Sequence, residues 1–207
     1  MKQPLGVILA GGRSTRMGGG DKGLLDLEGR SILTHVIERL APQVADVALN
    51  ANGDPARFSE TKLPVLPDSV AGHPGPLAGV LAGLDWAAEQ GADTIVTAAA
   101  DTPFFPCDLV PQFLLEAEGM EHPLALAASR DAESGKLWRQ PTFGLWPVAL
   151  RDDLRAALND GLRKVVLWTD QHGAATAEFP VVGIDPFFNV NTRQDLDVAR
   201  SIAKKGQ

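Results

Sequence analysis

Hydrophobic and polar positions follow two rhythms along the chain. Leu5-Gly-Val-Ile-Leu-Ala10 is an unbroken apolar run that empties into glycines, the pattern of a strand buried on both faces in a parallel sheet. Apolar residues at positions 32, 33, 36, 37 and 40 then take up helical spacing, and Pro42 stops that helix. Further strands are predicted at 46–50, 65–66, 94–100, 124–128, 142–146 and near 175–179. Helices are predicted at 76–89, with Pro76 in the first turn, at 109–117, near 148–158 and 162–170, and at 193–204. Strands alternating with helices over most of the chain predict an α/β fold, three layers deep with a mainly parallel central sheet. Ligands of such sheets bind beyond the C-terminal ends of the strands. The residues just after each strand are therefore the ones to read for chemistry.

Composition narrows the picture. The 207 residues carry 19 Lys+Arg against 26 Asp+Glu, a formal charge of −7. That balance argues against a general nucleic-acid or anionic-membrane binder, which would be basic. With no repeat, low-complexity tract or linker, the chain reads as a single domain over 1–207. Cys107 is the only cysteine, which excludes a disulfide framework and a cysteine-based zinc site. The first apolar run is shorter than the ~7–15 residues of a signal-peptide core or the ~20 of a membrane helix. A cytoplasmic protein is expected. The four histidines lack metal-ligand spacing, and no G-x-S-x-G elbow is present.

The first strand runs into Gly11-Gly12-Arg13-Ser14-Thr15-Arg16-Met17-Gly18-Gly19-Gly20-Asp21-Lys22. Five glycines let backbone N–H groups approach an anion closely. Arg13, Arg16 and Lys22 face one acid, Asp21, so positive charge is concentrated at a strand end in an acidic protein. Arginine forks and a lysine point charge suit polyphosphate. Gly18, Gly20 and Gly23 match G-x-G-x-x-G only through glycine density, because the match starts too far beyond the strand. No P-loop is present, since Gly23 follows Lys22.

The stretch LAGGRSTRMGGGDKGLL resembles the signature loop of the nucleotidyltransferases with a Rossmann-like fold, and within them the molybdenum cofactor guanylyltransferases. Gly11 in place of alanine and the Asp21-Lys22 pair resemble the guanylyl branch. The resemblance continues in Asn50-Ala51-Asn52, Pro67-Asp68-Ser69, Gly75-Pro76-Leu77-Ala78-Gly79, Asp101-Thr102-Pro103 and Asn189-Val190-Asn191-Thr192. It implies GTP binding by Leu9, Ala10, Gly11, Gly12, Lys22, Asn50, Asp68, Gly79 and Asp101. It further implies Mg²⁺ held by Asp101 and Asn191, with Arg16, Lys22 and Asp101 as catalytic residues. GMP would pass from GTP to the phosphate of molybdenum-bound molybdopterin, with cofactor-biosynthesis or cofactor-delivery proteins as further partners. Residues 1–110 would form the nucleotide half, and 111–207 the acceptor half with the closing helix. A phosphorylated pterin needs cations and stacking surfaces, for which Trp138, Arg139, Arg163, Lys164 and Trp168 are candidates. With the resemblance, the donor and acceptors of Asn50 and the carboxylate of Asp68 suit a base edge; apart from any family, Asn50 reads first as an Asx turn ending a strand. Thr192 with Asp195 spells a helix capping box whatever the function.

Three alternatives stay open at this point. They are a cytidylyltransferase acting on molybdopterin or another small phosphate acceptor, a sugar-phosphate nucleotidyltransferase, and a non-catalytic nucleotide sensor. Gly11 leaves more room for a purine, and a sensor would not need both Asp101 and Asn191.

Overall fold

The computed structural model describes residues 2–11, 21–70, 72, 75–131 and 133–205. Its main sheet is built from β1 (Leu5–Leu9), β4 (Val47–Asn50), β5 (Val65–Leu66), β6 (Thr94–Ala99), β7 (Ala125–Arg130), β8 (Leu137–Pro147) and β9 (Ala175–Pro180). The strand order is β5-β4-β1-β6-β8-β7-β9. The β5-β4-β1-β6 run is parallel throughout, β8 is antiparallel to both neighbours, and β9 is parallel to β7. The expected mainly parallel sheet is thus present, with one reversed strand inside it.

Helices cover both faces. On one side α1 (Ile32–Leu40) and α3 (Leu109–Glu116) bury Leu33, Val36, Leu40, Leu109, Val110 and Phe113 against Ile8, Leu49, Val96 and Leu145. On the other, α2 (Pro76–Glu89), α4 (Arg151–Asn159) and α5 (Val165–Gln171) pack on Val7, Ala48, Ile95 and Trp146. Helix α2 is apolar on nearly every face because it lies between the sheet and α4. Helix α6 (Arg193–Lys205) closes the chain, and its Leu196 and Ala199 pack against Leu27, Ile32 and Val190. Among the described residues no helix is long and apolar enough to cross a membrane.

Strand β1 sets the register of the working edge. Leu9 pairs with Asn50 on one side and Ala99 on the other. Ala10, Ala51 and Ala100 therefore leave the sheet together. Two local features depart from the expected elements. A small hairpin, β2 (Asp26–Leu27) and β3 (Arg30–Ser31), turns at Glu28 and Gly29, both at positive φ, and leads into the Ser31 cap of α1. Strand β8 begins at 137 rather than 142, and its register on β7 jumps from Gly144↔Leu126 to Gln140↔Ala127. Pro141 has no N–H for a ladder bond, so the strand bulges there.

Candidate active site

The strand ends of β1, β4 and β6 floor a cavity of about 720 Å³. Leu9, Ala10 and Gly11 enter it from β1, Asn50 from β4, and Ala99, Ala100 and Asp101 from β6. Asp21, Lys22, Asp68, Gly75 and Pro76 complete the rim. A groove of this size is in the range of small-molecule sites, and it lies where an open α/β sheet places its ligands.

One wall is a hydrogen-bonded carboxylate. Asn50 donates through Nδ2 to Asp68 Oδ1 at 3.0 Å and to the Leu66 carbonyl at 3.0 Å. Asn52 donates to Asp68 Oδ2 at 2.7 Å and accepts from the Asp68 N–H at 2.9 Å. Both carboxylate oxygens are thereby oriented, and each keeps a lone pair for a further donor. Asn50 itself is buried, and its amide hydrogens are committed to these bonds. Its part is to aim Asp68 rather than to donate outward. This arrangement explains Gly79 in α2, since a Cβ there would lie 2.2 Å from Asn50 Oδ1 and 2.9 Å from Leu9 Cδ2.

The opposite wall gathers charge. Asp101 stands just past β6, and its carbonyl accepts the Val190 N–H at 2.8 Å, which ties the 189–191 segment to the sheet end. Thr102 donates its hydroxyl to Asn189 Oδ1. Lys22 Nζ donates to Asn191 Oδ1 at 2.6 Å and lies 4.0 Å from Asp101 Oδ2. Burial pushes the Asp101 carboxyl above the usual carboxylate range, against the opposing pull of the Lys22 ammonium and of hydrogen bonds from its own backbone and Thr102. A carboxylate held this way calls for positive charge. The oxygen donors of Asp101 and Asn191 already converge on one cation, the ammonium. Among the described residues no group of three or more His, Cys, Asp or Glu side chains is clustered for a metal. One carboxylate plus an amide oxygen is the sparse, hard-oxygen set that suits Mg²⁺, which keeps waters and shares substrate phosphates.

The Thr192–Asp195 capping box is formed. Asp195 Oδ2 accepts from the N–H groups of Asn191 and Thr192 at 2.9 and 2.8 Å, and Thr192 Oγ1 accepts from the Asp195 N–H at 3.1 Å. Burial pushes the Asp195 carboxyl upward, but these hydrogen bonds outweigh it and hold the group below its ordinary value.

Of the sequence-predicted residues, Leu9, Ala10, Gly11, Lys22, Asn50, Asp68 and Asp101 line the cavity, with Gly79 directly behind Asn50 and Asn191 on Lys22. Gly12 and Arg16, with Arg13, lie outside the described residues. The acceptor candidates fare unevenly. Trp168 is buried, stacks on Trp146 and donates to Asp153, so it belongs to the core and offers no stacking surface. Arg139 pairs with Asp170, and Arg163 donates to the carbonyls of Leu158 and Leu162. Trp138 is 51% exposed, with the Lys136 ammonium 3.7 Å from its ring centroid. Sequence reasoning missed Phe58, Leu33 and Thr142, which also line the cavity, and Arg57, which borders it. The Asp54-Pro55 pair, a helix cap followed by an N1 proline, was the available signal for the 3₁₀ turn Pro55–Thr61 that carries Arg57 and Phe58.

A three-layer α/β sheet with a cation-bearing cavity at its parallel strand ends is consistent with nucleotidyl transfer, and the family match places the chain in that class. Residues 6–174 match the family model described as the MobA-like NTP transferase domain, and the chain belongs to that family. It is 50% identical over 201 residues to a molybdenum cofactor guanylyltransferase of Bradyrhizobium sp. (strain ORS 278), covering 96% of this chain and 92% of the relative. It is equally identical to one from Cereibacter sphaeroides, covering 97% of each. In fold it is similar to molybdopterin-guanine dinucleotide biosynthesis protein A from Archaeoglobus fulgidus, with TM-score 0.69 at 21% identity over 97% of this chain and 99% of that one. A CMP:2-keto-3-deoxy-manno-octonic acid synthetase structure complexed with CTP gives TM-score 0.72 at 16% identity, covering all of both chains.

Proposed function

We propose that the chain transfers GMP from GTP to the phosphate of molybdenum-bound molybdopterin and releases pyrophosphate. The observation that carries the reading is the meeting of Lys22, Asp101 and Asn191 at one strand edge, in a chain half identical to guanylyltransferases over nearly its whole length. The acceptor's terminal phosphate oxygen attacks the α-phosphorus in line. A new P–O bond forms there as the bond to the β-phosphate bridging oxygen breaks. A phosphate dianion already carries its nucleophilic oxygen unprotonated near neutral pH, so the chain has only to position it and to offset charge.

The oriented Asp68 carboxylate accepts from the N–H edge of guanine, a donor pattern that cytosine lacks at the same place. Gly11 and Ala10 let the base lie close to the backbone. Lys22 offsets charge on the phosphate tail, and we assign Arg16 and the backbone of Gly12 to the same tail. Asp101 and Asn191 would hold Mg²⁺, which supplies further neutralisation of phosphate charge when bound. For Lys22 to serve phosphate, its ammonium must leave Asn191, and the flexible lysine stem permits that. We also assign residues 1–110 to the nucleotide, and 111–207 to the acceptor and the closing helix, with Asn191 just ahead of that helix reaching back to the nucleotide edge.

The test is pyrophosphate release from Mg-GTP with molybdenum-bound molybdopterin, run in competition with CTP and ATP. Turnover with GTP at least tenfold above CTP is expected. A preference for CTP would transfer the reading to the cytidylyl branch, and binding of Mg-GTP without release would make the protein a sensor.

A further inference from the structure

Arg57 stands outside every residue assigned above, yet its guanidinium makes contacts to three separate groups. Its Nε is 2.6 Å from Asp21 Oδ2, Nη2 donates to the Asn52 carbonyl at 2.6 Å, and Nη1 donates to the Asp54 carbonyl at 3.3 Å. The guanidinium carbon also lies 4.7 Å from the centre of the Phe58 ring, which lines the cavity. Gly53 makes room for it. That residue sits at φ +89°, and a Cβ there would approach Arg57 Nη1 to 2.9 Å. The turn 52–54 is thus shaped around this one side chain.

The three contacts join the two walls of the cavity. Asn52 belongs to the network that orients Asp68, and Asp21 immediately precedes Lys22. Asp21 also presents a carboxylate, one-fifth exposed, on the cavity wall. An anionic ligand tail entering there meets a like charge unless that carboxylate is neutralised. A planar fork held by two carbonyls and a carboxylate is a task that arginine performs and lysine does not.

We infer that Arg57 is a positioning residue for the nucleoside triphosphate, which masks the Asp21 carboxylate and ties the Lys22 turn to the Asn52–Asp68 wall. The inference rests on the nucleotide-transfer reading given above. It predicts an effect on triphosphate affinity more than on turnover, because Arg57 acts before the chemical step and through its neighbours.

The test uses the full chain, with titration calorimetry for Mg-GTP and Mg-CTP and with steady-state pyrophosphate release. Arg57→Gln should raise KM and Kd for the preferred nucleotide roughly tenfold, the scale of one charge-assisted contact, while kcat changes less than threefold. Adding Asp21→Asn to that variant should recover most of the lost affinity, since the unmasked charge goes with it. A purely structural role would show no such recovery. Arg57→Lys should fall between wild type and Arg57→Gln, and it stands in should Arg57→Gln fail to fold. The inference is overturned if Arg57→Gln, or Arg57→Lys where it stands in, stays within twofold of wild type, or if the double variant binds no better than Arg57→Gln. A wild-type preference for CTP would overturn the guanylyl reading alone, with Arg57 then scored on CTP. Absence of triphosphate binding by the wild type would sink both.

Discussion

The two ends of the main sheet are built differently at the same rim. Across β5, β4, β1 and β6 the strands run parallel and stop within one register step of one another, and all but the edge strand β5 are fully buried. Every strand end there delivers a residue into the cavity or onto its wall. Across β8, β7 and β9 one strand is reversed, bulged at Pro141 and extended into solvent. Polar side chains of this region engage those of neighbouring elements, as in Arg139 of β8 with Asp170 of α5, Arg130 of β7 with Glu178 of β9, and Gln140 of β8 with Ser129 of β7. The first region is a preformed site whose geometry follows from sheet register. The second is a surface on which Trp138 stands exposed, and which we assign to the acceptor. Binding of the two substrates should accordingly be separable by substitution.

The strongest way to break that contrast is at Asp101. Asp101→Ala removes the carboxylate that balances Lys22, and it should lower GMP transfer by roughly a thousandfold, or several kcal/mol of transition-state stabilisation. Pyrophosphate release under saturating Mg-GTP and acceptor measures this. Retention of near-wild-type release would mean that the parallel edge is not where the chemistry happens.

How legible each region was from sequence follows from the same difference. The apolar run at 5–10 and the position of Asp101 are readable because a doubly buried strand carries no charged residue until it ends, and the helix 76–89 because of its apolar length behind Pro76. Polar residues then mark the site. In β8 the segment LWRQP is half exposed and carries no strand periodicity, so the sequence pattern predicts a strand only from 142. Pairing with β7, a tertiary effect, is what extends it to 137. Trp168 was misread for a related reason. Its indole packs on Trp146 and donates to Asp153, contacts between distant segments that spacing along one helix cannot reveal. Arg57 was missed because its partners lie at 21, 52 and 54, and only the fold brings 21 beside 57.

The tryptophans sharpen the comparison at the next scale. Trp168→Ala should destabilise the fold by about 3 kcal/mol or more, as large-to-small core changes do, which lowers Tm in a thermal melt. Trp138→Ala should leave Tm within the small range of surface substitutions and raise KM for the acceptor without changing KM for GTP. A shift in GTP affinity instead would mean that the two regions are not separable. Among the glycines, Gly79→Ala must displace Asn50 or Leu9, with about 1–3 kcal/mol of overpacking and a loss of GTP affinity as Asp68 loses its orienting amide. Among the described residues, a Cβ at Gly11 meets only Asn50 Oδ1 at 4.0 Å. Gly11→Ala should leave Tm unchanged and weaken nucleotide binding alone, which paired melts and calorimetry would distinguish.

The smallest expected effect lies where the chain returns from the second region to the first. Asp195 caps α6 and fixes the backbone of Asn191, the residue that receives Lys22. Its carboxyl is held below its ordinary value, so the folded state releases this proton more readily than the unfolded chain. The associated stability is present above the unfolded-state pKa of about 3.9 and is lost as pH falls through the lower folded-state value. Asp195→Asn should therefore lower stability at neutral pH by about 1 kcal/mol, the usual scale of a helix cap, or about 2–4 °C in Tm for a chain of this size. Melts repeated toward pH 2 should show the two proteins converging, because wild-type Asp195 is then protonated too. A Tm gap that stayed constant with pH would place the residue's contribution in packing rather than in the charge-assisted cap, and would loosen the link drawn here between the α6 terminus and Asn191.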